Sequence, residues 1–252
     1  MHWFPICRSD AIQRIDATFQ SPQLSLAIDE QMLLTDFESA AVRIWQPRKP
    51  FVVLGRSSPA DSEVDFDACQ RADIWVGRRV SGGQTVVTGT GCLMYAIVLS
   101  YQAYPELRLL DHAHQFVMTR MQKVSASLGI STNVSGVSDL TLAGKKVSGN
   151  SMRCLKDRFL YHGTMICQNF DLAMVSKYLN RPVREPDYRA GRSHEDFLTR
   201  LPVDCETLKQ AMIEQWDAKE SLAPDQVEVL LQNARRLAAE KYSTDQWTRK
   251  VP

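Results

Sequence analysis

The spacing of apolar and polar positions changes period several times along the chain, and each change marks an element. Leu24, Ala27, Ile28 and Leu34, with Gln31 among them, recur at three- and four-residue intervals, so residues 24–36 predict an amphipathic helix. Val42-Arg43-Ile44-Trp45 alternates as a strand does, and Phe51-Val52-Val53-Leu54, closed by Gly55, reads as a buried strand ending in a turn. Asp65 to Arg71 predicts a short helix, Ile74-Trp75-Val76 a strand, and Leu93 to Leu99 a core strand after a glycine-rich turn. Phe116, Val117, Met121, Val124 and Leu128 stand at helical spacing within 110–128, and Gly129 stops that helix. Ser138 to Leu142 and Lys145 to Val147, joined by Ala143-Gly144, predict a hairpin; Leu160 to Asn169 predicts a strand and 172–179 a helix. Residues 204–219 and 224–241 are rich in strong helix formers. Hairpins and helices that segregate, instead of alternating as regular βαβ units, predict an α+β fold class with a central mixed or antiparallel sheet flanked by helices. The Pro- and Arg-rich stretch 180–200 is too long for an idle connection.

Bulk properties narrow the function classes. The 252 residues suffice for one large domain, and 44% hydrophobic against 23% charged residues is the balance of a globular protein. A net charge of +1 gives no field that argues for nucleic acid or a membrane surface. No apolar run approaches the ~18 residues that cross a bilayer, and Met1 to Arg8 lacks the form of a secretory signal. The six cysteines, Cys7, Cys69, Cys92, Cys154, Cys167 and Cys205, are scattered without a CxxC pair. That spacing predicts free thiols in the cytoplasm and no metal site.

Two segments concentrate the chemistry. In Arg78-Arg79-Val80-Ser81-Gly82-Gly83-Gln84-Thr85-Val86-Val87, fixed positive charge adjoins a glycine backbone able to approach a ligand and expose N–H groups. Such a segment suits a phosphate or carboxylate, though a tight hairpin carrying surface arginines has the same composition. In Asp139 to Ser151, Lys145 and Lys146 must face opposite sides of a strand, so one can point at a ligand while its neighbour stays solvated. His162, in Tyr161-His162-Gly163-Thr164, is either a general base or a structural histidine. No Walker P-loop is present.

Together these segments resemble the catalytic domain of the lipoate–protein ligase and octanoyltransferase family. The resemblance rests on Arg78-Arg79-Val80-Ser81-Gly82-Gly83, Asp139-Leu140, Gly144-Lys145-Lys146-Val147-Ser148-Gly149-Asn150-Ser151 and His162-Gly163-Thr164. It extends to Leu26-Ala27-Ile28-Asp29-Glu30, Val53-Leu54-Gly55-Arg56 and Lys241-Tyr242-Ser243-Thr244-Asp245-Gln246-Trp247, in family order over nearly the whole chain. It implies a fold like that of biotin protein ligases, and a single catalytic domain over 1–252 without the carboxy-terminal accessory domain of larger ligases. It further implies that lipoate or octanoate reacts with ATP and Mg to give an acyl-adenylate such as lipoyl-AMP. A lysine of a lipoyl domain of 2-oxoacid dehydrogenase complexes, or of glycine-cleavage H protein, then takes the acyl group.

By the same resemblance, Lys146 is the catalytic lysine touching acyl carbonyl and α-phosphate. Arg78, Arg79, Ser81, Gly82, Gly83, Gln84, Thr85, Val86, Val87, Asp139, Ser148, Gly149, His162, Gly163 and Thr164 are expected to hold the ligand with it. Val86, Val87, Leu93 and Met165 are expected to wall the acyl tail, and Arg189 and Arg192 to close over the nucleotide or dock an acidic lipoyl domain. The chain departs from the family pattern at Gln84, where a third glycine is usual, at Thr88-Gly89 for His-Asp, at Cys92 for Asn, and at Val137-Ser138 for Arg-Asn. Three readings remain. One is a ligase, acting alone or with a separate accessory subunit; the second is an ATP-independent octanoyltransferase fed by acyl carrier protein; the third is a non-catalytic lipoyl-domain binder or assembly protein.

Overall fold

The computed structural model describes residues 12–19, 21–182 and 184–250. The amino-terminal segment read for a signal, Cys7 within it, and Val183 of the long loop lie outside the described residues. In chain order the elements are β1 (Gln13–Arg14), α1 (Pro22–Leu34), β2 (Ala40–Trp45), β3 (Phe51–Leu54), α2 (Ala60–Glu63), α3 (Phe66–Arg71), β4 (Trp75–Arg78), β5 (Val86–Thr88) and β6 (Cys92–Ser100). They continue with α4 (Leu110–Ser127), β7 (Asn133–Ser135), β8 (Asp139–Leu142), β9 (Lys145–Cys154), β10 (Arg158–Ile166), α5 (Ala173–Tyr178), α6 (His194–Phe197), α7 (Cys205–Gln215), α8 (Pro224–Leu237) and α9 (Asp245–Thr248). A seven-stranded mixed sheet runs β1-β2-β6-β10-β9-β8-β7, antiparallel except for β1 with β2. The expected α+β class is what the chain adopts.

The large sheet divides the interior by simple alternation. Leu93, Tyr95, Ile97 and Leu99 of β6 pack with Val117 and Met121 of α4 and with Leu208 and Met212 of α7. Met94, Ala96 and Val98 of the same strand face the other way, into a core shared with α1, α8 and β3. This is the two-residue period of a strand buried on both faces.

The strand expected after residue 74 forms as β4, and β4 and β5 flank β3 in a separate three-stranded sheet. Two expectations needed correction. Val86–Thr88, read as part of a glycine-rich turn, is a strand of its own. Nor does α1 show one apolar stripe. Ser25 to Glu30, Met32 and Leu33 are all buried, whereas Leu34 is 55% exposed. The helix lies between the sheet and α8, so it is covered on two sides and its acids need partners. Glu30 finds Lys241 at 2.7 Å and the Tyr242 hydroxyl at 2.7 Å, which ties α1 to the turn after α8.

The predicted hairpin is present, and Ala143 and Gly144 both have positive φ, as a two-residue hairpin turn requires. Its register carries a shift that sequence spacing does not announce. Leu140 pairs with Ser148 but Thr141 with Lys146, leaving Val147 as an extra residue on β9. An extra residue flips side-chain parity. Lys146 consequently shares its side of the sheet with Gly149 and Ser151, where unbroken alternation would have put it with Ser148 and Asn150.

Candidate active site

A cavity of about 350 Å³ opens on the α1 side of the large sheet, with the small sheet and residues 184–186 completing its walls. A narrower annex of about 80 Å³ continues past Lys146 and is lined largely by Val87, Ile166, Phe170, Val175, Leu179 and Phe197. Residues 184–198 cover this region as a strap fastened to the β8–β9 hairpin. The Tyr188 hydroxyl donates to Asp139 Oδ2 at 2.6 Å, Arg192 Nη1 donates to the Gly144 carbonyl at 3.1 Å, and the Thr199 amide to the Lys146 carbonyl at 2.9 Å.

Lys146 reaches the cavity and pairs with Asp139, Nζ to Oδ1 at 2.9 Å, while Lys145 is exposed. The lysine stem lies over Gly149, where a Cβ would come within 2.8 Å of both Cε and Nζ. Gly149 is thus glycine because the ammonium occupies the place of a side chain. Asp139 also accepts the Tyr188 hydrogen bond; burial and the Asp139 charge push the Tyr188 pKa up, so the phenol remains a donor.

The glycine-rich loop is held from behind. Arg79 is buried, and its guanidinium donates to the Gly82 and Gln84 carbonyls, to Val53 and to the Ser81 hydroxyl. Burial lowers its pKa to about 10, a fall opposed by Glu63, so the side chain stays cationic at neutral pH. The Arg56 amide donates to the Ser81 carbonyl, and Ser151 Oγ donates to the Gly82 carbonyl. Among the described residues, the amides of Gly82, Gly83 and Gln84 have no hydrogen-bond partner. Carbonyls bound and amides left over make a cradle for an oxyanion.

A buried polar chain leads from this loop to the core. Ser81 Oγ lies 2.5 Å from His162 Nε2, His162 Nδ1 lies 3.4 Å from Asp29 Oδ2, and Asp29 Oδ1 meets Arg43 Nη1 at 2.8 Å. The model of the lipoyl protein ligase A/B catalytic domain matches residues 21–223. The chain belongs to that family. A probable lipoate-protein ligase A of Mycoplasma pneumoniae is 31% identical over 163 residues, covering 63% of this chain and 46% of its own length. The chain spans about half the length of the two Mycoplasma relatives it matches. The bi-partite lipoate protein ligase of Thermoplasma acidophilum, studied with its E2 lipoyl domain, shares the fold at a TM-score of 0.80 and 22% identity, over 96% of this chain and 97% of that one. A lipoate-protein ligase A bound with ATP gives a TM-score of 0.76 at 22% identity, over 96% of this chain and 100% of that chain.

Within this chain, Arg79, Gly83, Gln84, Thr85, Val86, Asp139, Lys146, Gly149, His162, Gly163 and Thr164 all border the main cavity, and Val87 borders the annex. Four other expected residues stand elsewhere. Arg78 is fully buried and donates to the carbonyls of Gly55 (2.6 Å), Ser58 (2.9 Å) and Thr248 (2.9 Å), so it clamps the segment around α9 to the loop after β3. Ser81 and Ser148 are fully buried, and Gly82 is exposed, its carbonyl accepting from Arg79 and Ser151.

The tail-wall expectation holds for Val86 and Val87, which line the chambers, and fails by parity for Leu93 and Met165. Leu93 and Met165 are sealed in the opposite core, and their strand neighbours Met94 and Ile166 line the chambers instead. Arg189 and Arg192 secure the strap. Arg189 borders the annex but pairs with Glu185 at 3.4 Å, and Arg192 also donates to the Tyr188 carbonyl at 2.7 Å. Sequence reasoning passed over Asp29 and Leu26 as cavity residues; an acid inside the apolar run of α1 was the available signal. Glu185 and Pro186 carried no such signal, because only the strap's path brings them to the mouth.

Proposed function

We propose that the chain is a lipoate–protein ligase type of enzyme, joining lipoate or octanoate to the lysine of a lipoyl domain or H protein through an acyl-adenylate. The observation that carries this reading is Lys146, with its ammonium set over Gly149 and bordering one cavity together with Gly83 and Gln84, whose amides are unpaired among the described residues. A carboxylate oxygen of the acid would attack the α-phosphorus of ATP, and pyrophosphate would leave. The acceptor amine would then attack the acyl carbon, and AMP would depart with the bridging oxygen as the amine loses its proton. Negative charge gathers on phosphate and acyl oxygens in both steps, where a fixed cation and aligned amides stabilise it most. Magnesium would enter as part of the nucleotide substrate.

The two chambers suit the two halves of such a ligand. The polar cradle and Lys146 stand where they join, and the apolar annex can receive a flat or aliphatic group. Kinship with an ATP-bound ligase and with a ligase studied beside its lipoyl domain supports the same donor and acceptor classes. The carrier-protein transferase reading requires a cysteine nucleophile, and among the described residues no cysteine borders either chamber. Five free thiols among the described residues support a reducing, cytoplasmic setting.

Mass measurement of an apo-lipoyl domain after incubation separates the alternatives. Modification with octanoate or lipoate and ATP-Mg identifies a self-sufficient ligase. Modification only from preformed acyl-adenylate means that activation needs a further segment or subunit. Modification from acyl carrier protein alone, or none under any condition, refutes the proposal.

A further inference from the structure

Ser81, His162 and Asp29 have the order of a nucleophile–base–acid triad, yet their surroundings give them a different task. Ser81 is fully buried and borders neither chamber, so no acyl carbon can approach its oxygen. The direction of each hydrogen bond is fixed from the core outward. Arg43, fully buried, donates to Asp29 at 2.8 Å, and its other bonds go to the carbonyls of Ala17 and Ser25. An ion-paired carboxylate only accepts, so in the neutral imidazole of His162 the proton sits on Nδ1 and a lone pair is presented at Nε2. The Ser81 hydroxyl must then donate to Nε2, and its oxygen is left to accept Arg79 Nε–H at 3.2 Å. Arg79 in turn grips the Gly82 and Gln84 carbonyls.

The geometry points to Ser81 and His162 as a positioning pair, in which a tautomer locked by Asp29 and Arg43 holds the glycine-rich loop and Arg79 ready for the anionic part of the ligand. Neither residue acts as nucleophile or proton carrier. The site needs such a device because three consecutive amides are kept unpaired, a conformation the loop would otherwise relax by turning them toward nearby carbonyls. The consequence for binding rests on the function proposed above; the tautomer does not.

Nitrogen-15 spectra of histidine-labelled protein test the polarity directly, with the His162 signals assigned by their loss in H162Q. A proton on Nδ1 and a bare Nε2 at neutral pH are expected; a proton on Nε2 overturns the inference. Calorimetry with a non-hydrolysable acyl-sulfamoyl adenosine tests the consequence. Ser81→Ala and His162→Leu are each expected to weaken binding about 10- to 100-fold, the range of one lost buried hydrogen bond, with the double variant no weaker than the worse single. His162→Gln, whose amide oxygen can accept the Ser81 proton, is expected to recover most of the affinity. Additive losses, or labelling of Ser81 by a fluorophosphonate, overturn the assignment. Should the parent itself not bind the analogue, the proposed function fails, and the imidazole spectrum still decides the pair.

Discussion

On the face of the large sheet against α4 and α7, Phe159, Tyr161 and Met165 of β10 are wholly buried, whereas on the other face His162 and Thr164 of that strand border the cavity. The two faces share one backbone and one set of ladder hydrogen bonds, so their difference lies in side chains alone. The closed face is filled with apolar side chains and contributes burial. The open face keeps polar groups partly wet by pairing each with a neighbour: Lys146 with Asp139, His162 with Ser81, Ser151 with Gly82. A strand can therefore serve stability and chemistry independently, provided that its alternation holds.

Substitutions on the two faces should separate the two roles. Phe159→Ala is expected to cost about 3–5 kcal/mol of folding stability, read as a lower denaturation midpoint, with ligand affinity of the folded fraction unchanged. Lys146→Ala should reverse the pattern. Acylation of the acceptor falls by ~10²–10³-fold, about 3–4 kcal/mol in the barrier, with stability within about 1 kcal/mol of the parent. A Lys146 variant that loads its acceptor at the parental rate would end the comparison and the proposed function with it.

The closed face was the more legible of the two in the sequence. Phe116, Val117, Met121 and Val124 announced α4, and Leu93 to Leu99 announced β6, because burial imposes a period that composition displays. The open face was legible where motif residues are local in sequence, as at Arg79, Asp139, Lys146 and His162. It was not legible where tertiary placement decides. Arg78 and Arg79 look equivalent as neighbours, but β4 ends between them: one side chain turns to the α9 carbonyls and the other to the loop. Leu93 and Met94 are both apolar, and only the pairing with β2 and β10 tells which faces the cavity. The strap gave no pattern, since apart from Tyr188 to Asp139 its attachments run through backbone groups that any sequence supplies.

The register shift on β9 makes Gly149 a sharper probe. A methyl group there meets the far end of Lys146, a flexible side chain, so the fold is expected to tolerate Gly149→Ala while the ammonium is displaced. A displacement of about 1 Å commonly costs on the order of 10- to 100-fold in rate. Acylation should fall by that factor with little change in thermal midpoint. An unchanged rate would show that the ammonium works from another position than the one over Gly149.

The smallest effect is expected where the open face meets the strap. Tyr188 holds Asp139 Oδ2 while Lys146 holds Oδ1, and its ring rests against Phe197 at 5.3 Å between centroids. Tyr188→Phe keeps the ring contact and removes only the hydroxyl. With that donor gone, the Asp139 carboxylate is free to turn toward Lys146 and draw it from the ligand. A net hydrogen bond of this kind is worth about 0.5–1.5 kcal/mol, so a two- to tenfold loss in turnover is expected, with less than about 1 kcal/mol in stability. One measurement locates the effect. If the loss vanishes in the background of Lys146→Met, where no ammonium remains for Asp139 to draw away, Tyr188 acts through the lysine. If it persists there, the phenol acts by holding the strap over the cavity, and the open face depends on its cover as the closed face depends on α4 and α7.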